Sequence, residues 1–355
     1  MRGFAATMVV FHHVYTRFSY LFVSDEPAQV HQILSFISDL NVEAVLLFFV
    51  LSGFSIRLSL QKGLPISKNF FNEYIYRRLK RILPLYYVAI IFTIISGLIT
   101  HAIYANNDFD IPNLLGNIFF LQCSKSYKGN WFAPYGDNGP LWSLSFEMFY
   151  YFFFPVFILL VLKILKTSII SEKNNRIILV ITLAFSLACL IINNTIFFPY
   201  VAFAALFYIW YCGFYLAEIY SRGEVALNKN FITSITIVLL TGILSYLRSS
   251  AGLYKLFFGS AITSAFFIIY TLRRKYKFFI RYFDKGFNFV FYHIGKGSYA
   301  LYLLHYPLIL ILKYYRQINI TEVVISIIIF TFFCTWLEQY FVKKKWLFLK
   351  IRYIG

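Results

Sequence analysis

MRGFAATMVVFHHVYTRFSYLFV, residues 1–23, is an apolar run of bilayer-crossing length that carries an arginine at its start and a histidine near its middle. At the ~1.5 Å rise of an α-helix, Arg2 and His13 lie about 16 Å apart along the axis. That is roughly half the hydrocarbon thickness of a bilayer. An ionisable side chain at such a depth is costly unless it is paired or faces a water-filled cavity, and it marks a functional site by default. Arg2 at one face and His13 in the interior suit the two ends of a long molecule with an anionic head.

The rest of the chain supports a membrane setting. It has 355 residues, of which 60% are hydrophobic and only 14% charged, with mean hydropathy +0.68. Soluble domains run near ~25% charged, so the composition is that of an all-α, polytopic integral membrane protein. Met1 and Arg2 lead straight into a segment too long for a signal-peptide core, with no small-residue cleavage site. The first helix is therefore read as both anchor and targeting signal.

Hydropathy predicts about ten transmembrane helices, over 3–23, 41–59, 82–101, 141–162, 177–193, 200–219, 231–247, 254–272, 297–314 and 322–342. Residues 1–342 then form one transmembrane domain, and 343–355 a basic tail. With the N-terminus inside, most of the 33 basic residues fall in alternate connections on that face, so both termini are expected to be cytoplasmic. The same distribution answers the net charge of +18: the basic residues flank apolar spans and form no nucleic-acid module, so no nucleic-acid partner is expected. Cys123, Cys189, Cys212 and Cys334 lack metal-ligand spacing, and neither a zinc site nor a disulfide framework is supported. Residues 102–140 read as an ordered outer loop. Its Trp131, Phe132 and Tyr135 suit either sugar stacking or an interfacial aromatic belt.

Four further stretches carry polar groups beyond what packing needs. FFVLSGFSIR, Phe48 to Arg57, puts a Ser-Gly pair in the second helix, where small residues permit close helix approach, and ends on arginine. RRLKRILP holds Arg77, Arg78 and Arg81 at helical spacing, a candidate phosphate-binding patch or, more blandly, a topology signal touching anionic lipid. GPLWSLSFEMF, from Gly139, places Trp142, Ser145 and Glu147 at the outer end of the fourth helix. Glu147 lies ~12 Å in from Gly139, near the expected level of His13 and approached from the opposite face. A histidine and a carboxylate at one depth suit proton handling. GKGSYALYLLHYPL, from Gly295, adds Ser298, Tyr299 and His305, and Glu338 marks the inner end of the last helix. His12 points ~100° away from His13 and reads as a packing residue.

In order, these segments resemble the membrane-bound acyltransferase family 3, whose members acylate bacterial surface carbohydrates such as O-antigen. Arg2 and His13 match its first-helix signature, Phe48 to Phe54 its second motif, and Arg77-Arg78 with Arg81 to Pro84 its third. Leu141 to Glu147, Ser298 to Pro307 and Glu338 match the remainder, so the likeness runs from residue 2 to about 341. Two departures are visible. The sequence lacks the short stretch that usually precedes the arginine and the fused hydrolase-like domain of some members, so it resembles the stand-alone type.

The resemblance implies an acetyl-CoA-dependent O-acetyltransferase of the bacterial inner membrane. Its donor, acetyl-CoA, would bind from the cytoplasm, with no permanently bound cofactor and no metal. Its acceptor would be a carbohydrate or lipid-linked saccharide on the outer side. Arg2, Arg57, Arg77, Arg78 and Arg81 can then hold the donor phosphates by charge-assisted bonds. His13 would be general base or acyl carrier, Glu147 its outer-side catalytic partner, and Trp142, Ser145 and His305 would contact the acceptor. A membrane carrier or flippase for a lipid-linked saccharide is the competing class. It calls for paired broken helices near the midplane, and the sequence offers no convincing pair.

Overall fold

The computed structural model describes residues 1–23, 28–60, 70–123, 131–167, 172–196, 201–221, 289–315 and 318–343, with a few isolated residues between 259 and 286. These residues are helical with short 3-10 turns, and none lies in a strand. In chain order they form α1 (Arg2–Arg17), α2 (Ser19–Val23), α3 (Ala28–Asp39), α4 (Asn41–Ser59), α5 (Phe70–Ile99) and α6 (Ile111–Ile118). There follow α7 (Trp142–Ile164), α8 (Glu172–Ile196), α9 (Val201–Ala205), α10 (Phe207–Ser221), α11 (Ser298–Tyr314) and α12 (Ile320–Lys343).

Among the described residues, 6 helices are long and apolar enough to cross a membrane: Ala28–Ser59, Phe70–Ile99, Gly139–Ile164, Lys173–Ile192, Phe203–Ser221 and Ile320–Phe341. Among the described residues, then, the ten expected spans are not all found at full length. The helix expected over 231–247, all but a few residues of that over 254–272, and the tail from 344 lie outside the described residues. The first expected helix, 3–23, is broken at Phe18 and leaves α1 only 16 residues long. Thr16 donates its hydroxyl back to the His12 carbonyl at 2.8 Å, a bond that competes with the helical ladder just before the break. His13 consequently lies one turn from the end of α1, not at its middle. α5 is longer than expected: it begins at Phe70 with Glu73 in its first turn, so the arginines of RRLKR lie within it.

Small residues set the closest helix approach. A Cβ at Gly53 of α4 would lie 2.0 Å from the Trp210 carbonyl oxygen, and one at Gly213 of α10 would lie 1.8 Å from that of Val50. The two glycines let α4 and α10 touch backbone to backbone. Around that seam Tyr150, Phe154, Phe207, Trp210 and Phe214 pack ring on ring, with Phe154 5.1 Å from Trp210 and 4.9 Å from Phe214 between centroids. Across the molecule α1 packs against α3, α4 and α11, and α11 against α5 and α12. His12 ties α1 to the α3–α4 junction, its Nδ1 2.9 Å from the Ser38 carbonyl oxygen. The functional groups gather where α1, α4, α5, α7 and α11 converge.

Candidate active site

Three cavities lie end to end along α11, and shared wall residues join them. The middle one is a narrow slot of about 60 Å³ between α1, α4, α5, α7 and α11. At one end Arg2 donates from Nη2 to Ser55 Oγ at 2.8 Å. One turn along α4, Ser52 donates to Glu147 Oε1 at 2.8 Å, and the Tyr151 hydroxyl donates to the same oxygen. Trp210 Nε1 donates to Ser52 Oγ at 3.3 Å, so α4, α7 and α10 meet at one serine. Arg81, Ser143, Ser298, Tyr299 and Tyr302 complete the polar lining.

Beyond Arg81 and Tyr299, which line both spaces, opens a basic groove of about 460 Å³ walled by Arg77, Lys80, Arg81, Pro84, Glu338 and Phe341. Glu338 reaches from α12 to accept from the backbone N–H of Tyr299 and of Ala300, both at 3.0 Å. It caps the start of α11 and pins the helix that carries the shared tyrosines.

On the other side of Tyr302 lies the third cavity, a chamber of about 230 Å³ lined by Val9, His13, Asn41, Val45, Pro134, Asp137, Pro140 and Trp142. Tyr302 belongs to both slot and chamber, its hydroxyl 2.7 Å from Ser143 Oγ and 3.1 Å from the Pro140 carbonyl oxygen. The roof is the 134–141 turn. It passes through left-handed backbone at Gly136 and Asp137 (φ 59° and 60°), which a glycine adopts without steric cost. Asn138 fixes it, donating to Thr93 Oγ1 at 2.9 Å and to the Leu303 carbonyl oxygen at 3.4 Å. That carbonyl is available because Pro307, one turn later in α11, has no N–H. Arg17 closes the rim, paired with Asp137 at 3.3 Å and bonded to the Tyr306 hydroxyl.

The structure separates groups that the sequence pairs. Arg2 and Glu147 share the slot, whereas His13 and Trp142 share the chamber. Counting from the helix end set Glu147 level with His13. In the structure, however, His13 lines the chamber with Trp142 at the start of α7, and Glu147 lies ~7–8 Å further along α7 than Trp142. The basic patch is split as well. Arg77, Lys80 and Arg81 face the groove, while Arg78, roughly 100° around the helix from Arg77, is buried and donates to Ser59 Oγ at 2.6 Å. Arg57 is buried in an ion pair with Glu218 of α10, so its charge is matched inside the fold. Ser145, expected at the acceptor, is buried away from the cavities, its hydroxyl donating to the carbonyls of Gln122 (2.6 Å) and Trp142 (2.7 Å). His305, also expected at the acceptor, stands behind His13 with ring centroids 5.3 Å apart and does not line the chamber. In the 102–140 loop Phe132 packs over Gly116 and Tyr135 is buried, while Trp131 stays exposed.

Ser52, Tyr151, Tyr302, Asn41 and Asp137 were not singled out from sequence. For Ser52 and Tyr302 the signal was present, since both lie inside quoted motifs. Tyr151 is one helical turn after Glu147, the spacing at which side chains on one helix meet. Asp137 and Asn41 come from loop and junction positions whose place in space no periodicity gives.

No curated protein and no solved structure matches the chain. A family model described as an acyltransferase domain matches residues 1–339, which takes in every wall residue of the slot and the chamber and all those of the groove but Phe341. The protein is thus a membrane protein of the acyltransferase 3 family, to which acyl transfer to an acceptor belongs.

Proposed function

We propose that the protein moves an acetyl group from acetyl-CoA, bound at the cytoplasmic face, to a hydroxyl of a surface carbohydrate or lipid-linked saccharide on the outer side of the bacterial inner membrane. The observation that carries this reading is the line of cavities: basic groove, slot, chamber, each sharing a wall residue with the next. A nucleotide with several phosphates suits Arg77, Lys80 and Arg81 through charge-assisted bonds. A slim pantetheine arm suits the slot past Tyr299, and the thioester then comes to Tyr302 with His13 beyond. The chamber offers what a sugar needs: Trp142 as an apolar face, Asn41 and Asp137 as hydrogen-bonding groups.

In the chamber, neutral His13 accepts the proton of the acceptor hydroxyl as its oxygen attacks the thioester carbonyl. The tetrahedral intermediate then expels the CoA thiolate, which takes up that proton, and the ester is released. Arg2 and Glu147 belong to the donor passage in this scheme, ordering the slot through Ser55, Ser52 and Tyr151.

Two assays test the reading together. Acetyl-CoA should raise the melting temperature of purified protein, because a ligand bound only by the folded state stabilises it. Mass spectrometry should find acetyl ester on the surface polysaccharide of cells carrying the intact gene and none with His13→Ala, while His12→Ala retains it. Near-normal acetylation with His13→Ala would overturn the assignment. Absence of any acetyl-CoA effect on melting would favour a carrier, which has no reason to bind that donor.

A further inference from the structure

His305 is fully buried on α11, and its Nδ1 lies 2.9 Å from the carbonyl oxygen of Leu301, one turn earlier. A carbonyl only accepts, so Nδ1 carries the ring proton. In the neutral ring Nε2 is then a lone-pair acceptor. That Nε2 is buried and has no hydrogen-bond partner. Leaving a buried acceptor unmet is costly, so a partner is expected to come to it. The ring of His13 lies 5.3 Å away between centroids, nearer than Tyr302 at 6.2 Å or Tyr306 at 6.4 Å. His13 is also held from a second side, with the Tyr306 ring edge-on at 4.8 Å and the Tyr306 hydroxyl engaged by Arg17.

We propose that His305 is the positioning residue for His13. Its Nε2 accepts the N–H of the neutral His13 ring, directly or through one water, and so selects a single His13 tautomer. The other His13 nitrogen then presents its lone pair to the chamber, ready to take the acceptor proton. When His13 becomes imidazolium, the same acceptor stabilises the charge. The order Leu301 C=O, His305, His13 is a relay of orientation in which no proton leaves His305. This role deepens the acyl-transfer reading and rests on His13 being the base.

Two substitutions separate positioning from simple helix tethering. Asn at position 305 can keep a donor for the Leu301 carbonyl but has nothing where Nε2 was. Gln extends far enough to place its amide oxygen there. A positioning role predicts that His305→Asn lowers kcat about tenfold to a hundredfold, the size of loss typical when an orienting partner is removed. The KM for acetyl-CoA, and the rise in melting temperature that it causes, should stay the same. His305→Gln should recover most of kcat. A tether to Leu301 predicts the reverse order, and that outcome would overturn the proposal.

The tautomer itself can be read without any turnover. With ¹⁵N-histidine labelling in detergent, His13 should show one neutral tautomer in the wild type and in His305→Gln, and a mixture of both in His305→Asn. An unchanged His13 spectrum in His305→Asn would overturn the proposal even if activity fell. Wild-type protein with no acyl transfer would sink the functional reading while leaving this spectroscopic test in force.

Discussion

The two faces of α4 show opposite ways of using polar groups inside one bundle. Gly53 sits on the face sealed against α10, where helix backbones touch and the Arg57–Glu218 pair is buried. The preceding residue, Ser52, faces the slot, where Arg2, Glu147 and Tyr151 border open space. Charge at the seam is matched within the fold and holds two helices in register. Charge along the cavities is only partly matched and is exposed to whatever enters. An arginine in a membrane helix is therefore not a ligand site by virtue of depth. What decides is whether a carboxylate from a neighbouring helix has already claimed it.

The largest effect should come from breaking the seam. Gly213→Val puts a branched side chain where a Cβ alone would lie 1.8 Å from the Val50 carbonyl oxygen, so α4 and α10 must part. Folded protein should be lost, as read by size-exclusion chromatography in detergent. Gly139→Ala, at the chamber wall where an added Cβ meets nothing within 4 Å, should fold normally. Equal tolerance at both positions would remove the distinction between a sealed and an open face.

Removing one member of the buried pair should rank next. Arg57→Ala takes the buried guanidinium away from Glu218 and should cost about 3–5 kcal/mol of stability, whereas the apolar double variant Arg57→Met with Glu218→Leu should recover most of it. Donor affinity of the folded fraction should be unchanged in both, measured by titration with acetyl-CoA. A selective loss of donor affinity in the stable double variant would return Arg57 to the phosphate site.

On the cavity side the smaller effect should fall on binding. Arg81→Ala and Glu147→Gln should each weaken acetyl-CoA about tenfold to a hundredfold, the equivalent of ~1.5–3 kcal/mol for a charge-assisted contact. The melting temperature without ligand should barely move. If Glu147→Gln binds the donor normally and fails only with the acceptor, Glu147 works from the chamber side after all.

The contrast also shows what the sequence makes legible. Long apolar runs found α4, α7, α8, α11 and α12 within a few residues, because ~20 apolar residues have few other uses. The amphipathic α3 escaped notice: it is too short and too polar to span, and its Ile33 and Phe36 are exposed. Motif residues were found, but their partners were not. Arg57 and Arg81 look alike in sequence, and only Glu218, far along the chain on α10, separates their roles. Depth counted along separate helices set Glu147 level with His13, whereas Glu147 lines the slot and His13 the chamber. Local patterns give helices and chemistry, while the pairing of charges is settled by tertiary contacts.

The central claim is that groove, slot and chamber form one donor path ending at His13. A structure of the protein with CoA bound tests it most directly. The phosphates should lie against Arg77, Lys80 and Arg81, with the pantetheine arm passing Tyr299 and the thiol beside Tyr302 facing His13. Phosphates at the Arg17 end of α1, or an arm lying outside the slot with Tyr299 and Tyr302 uncontacted, would contradict the account.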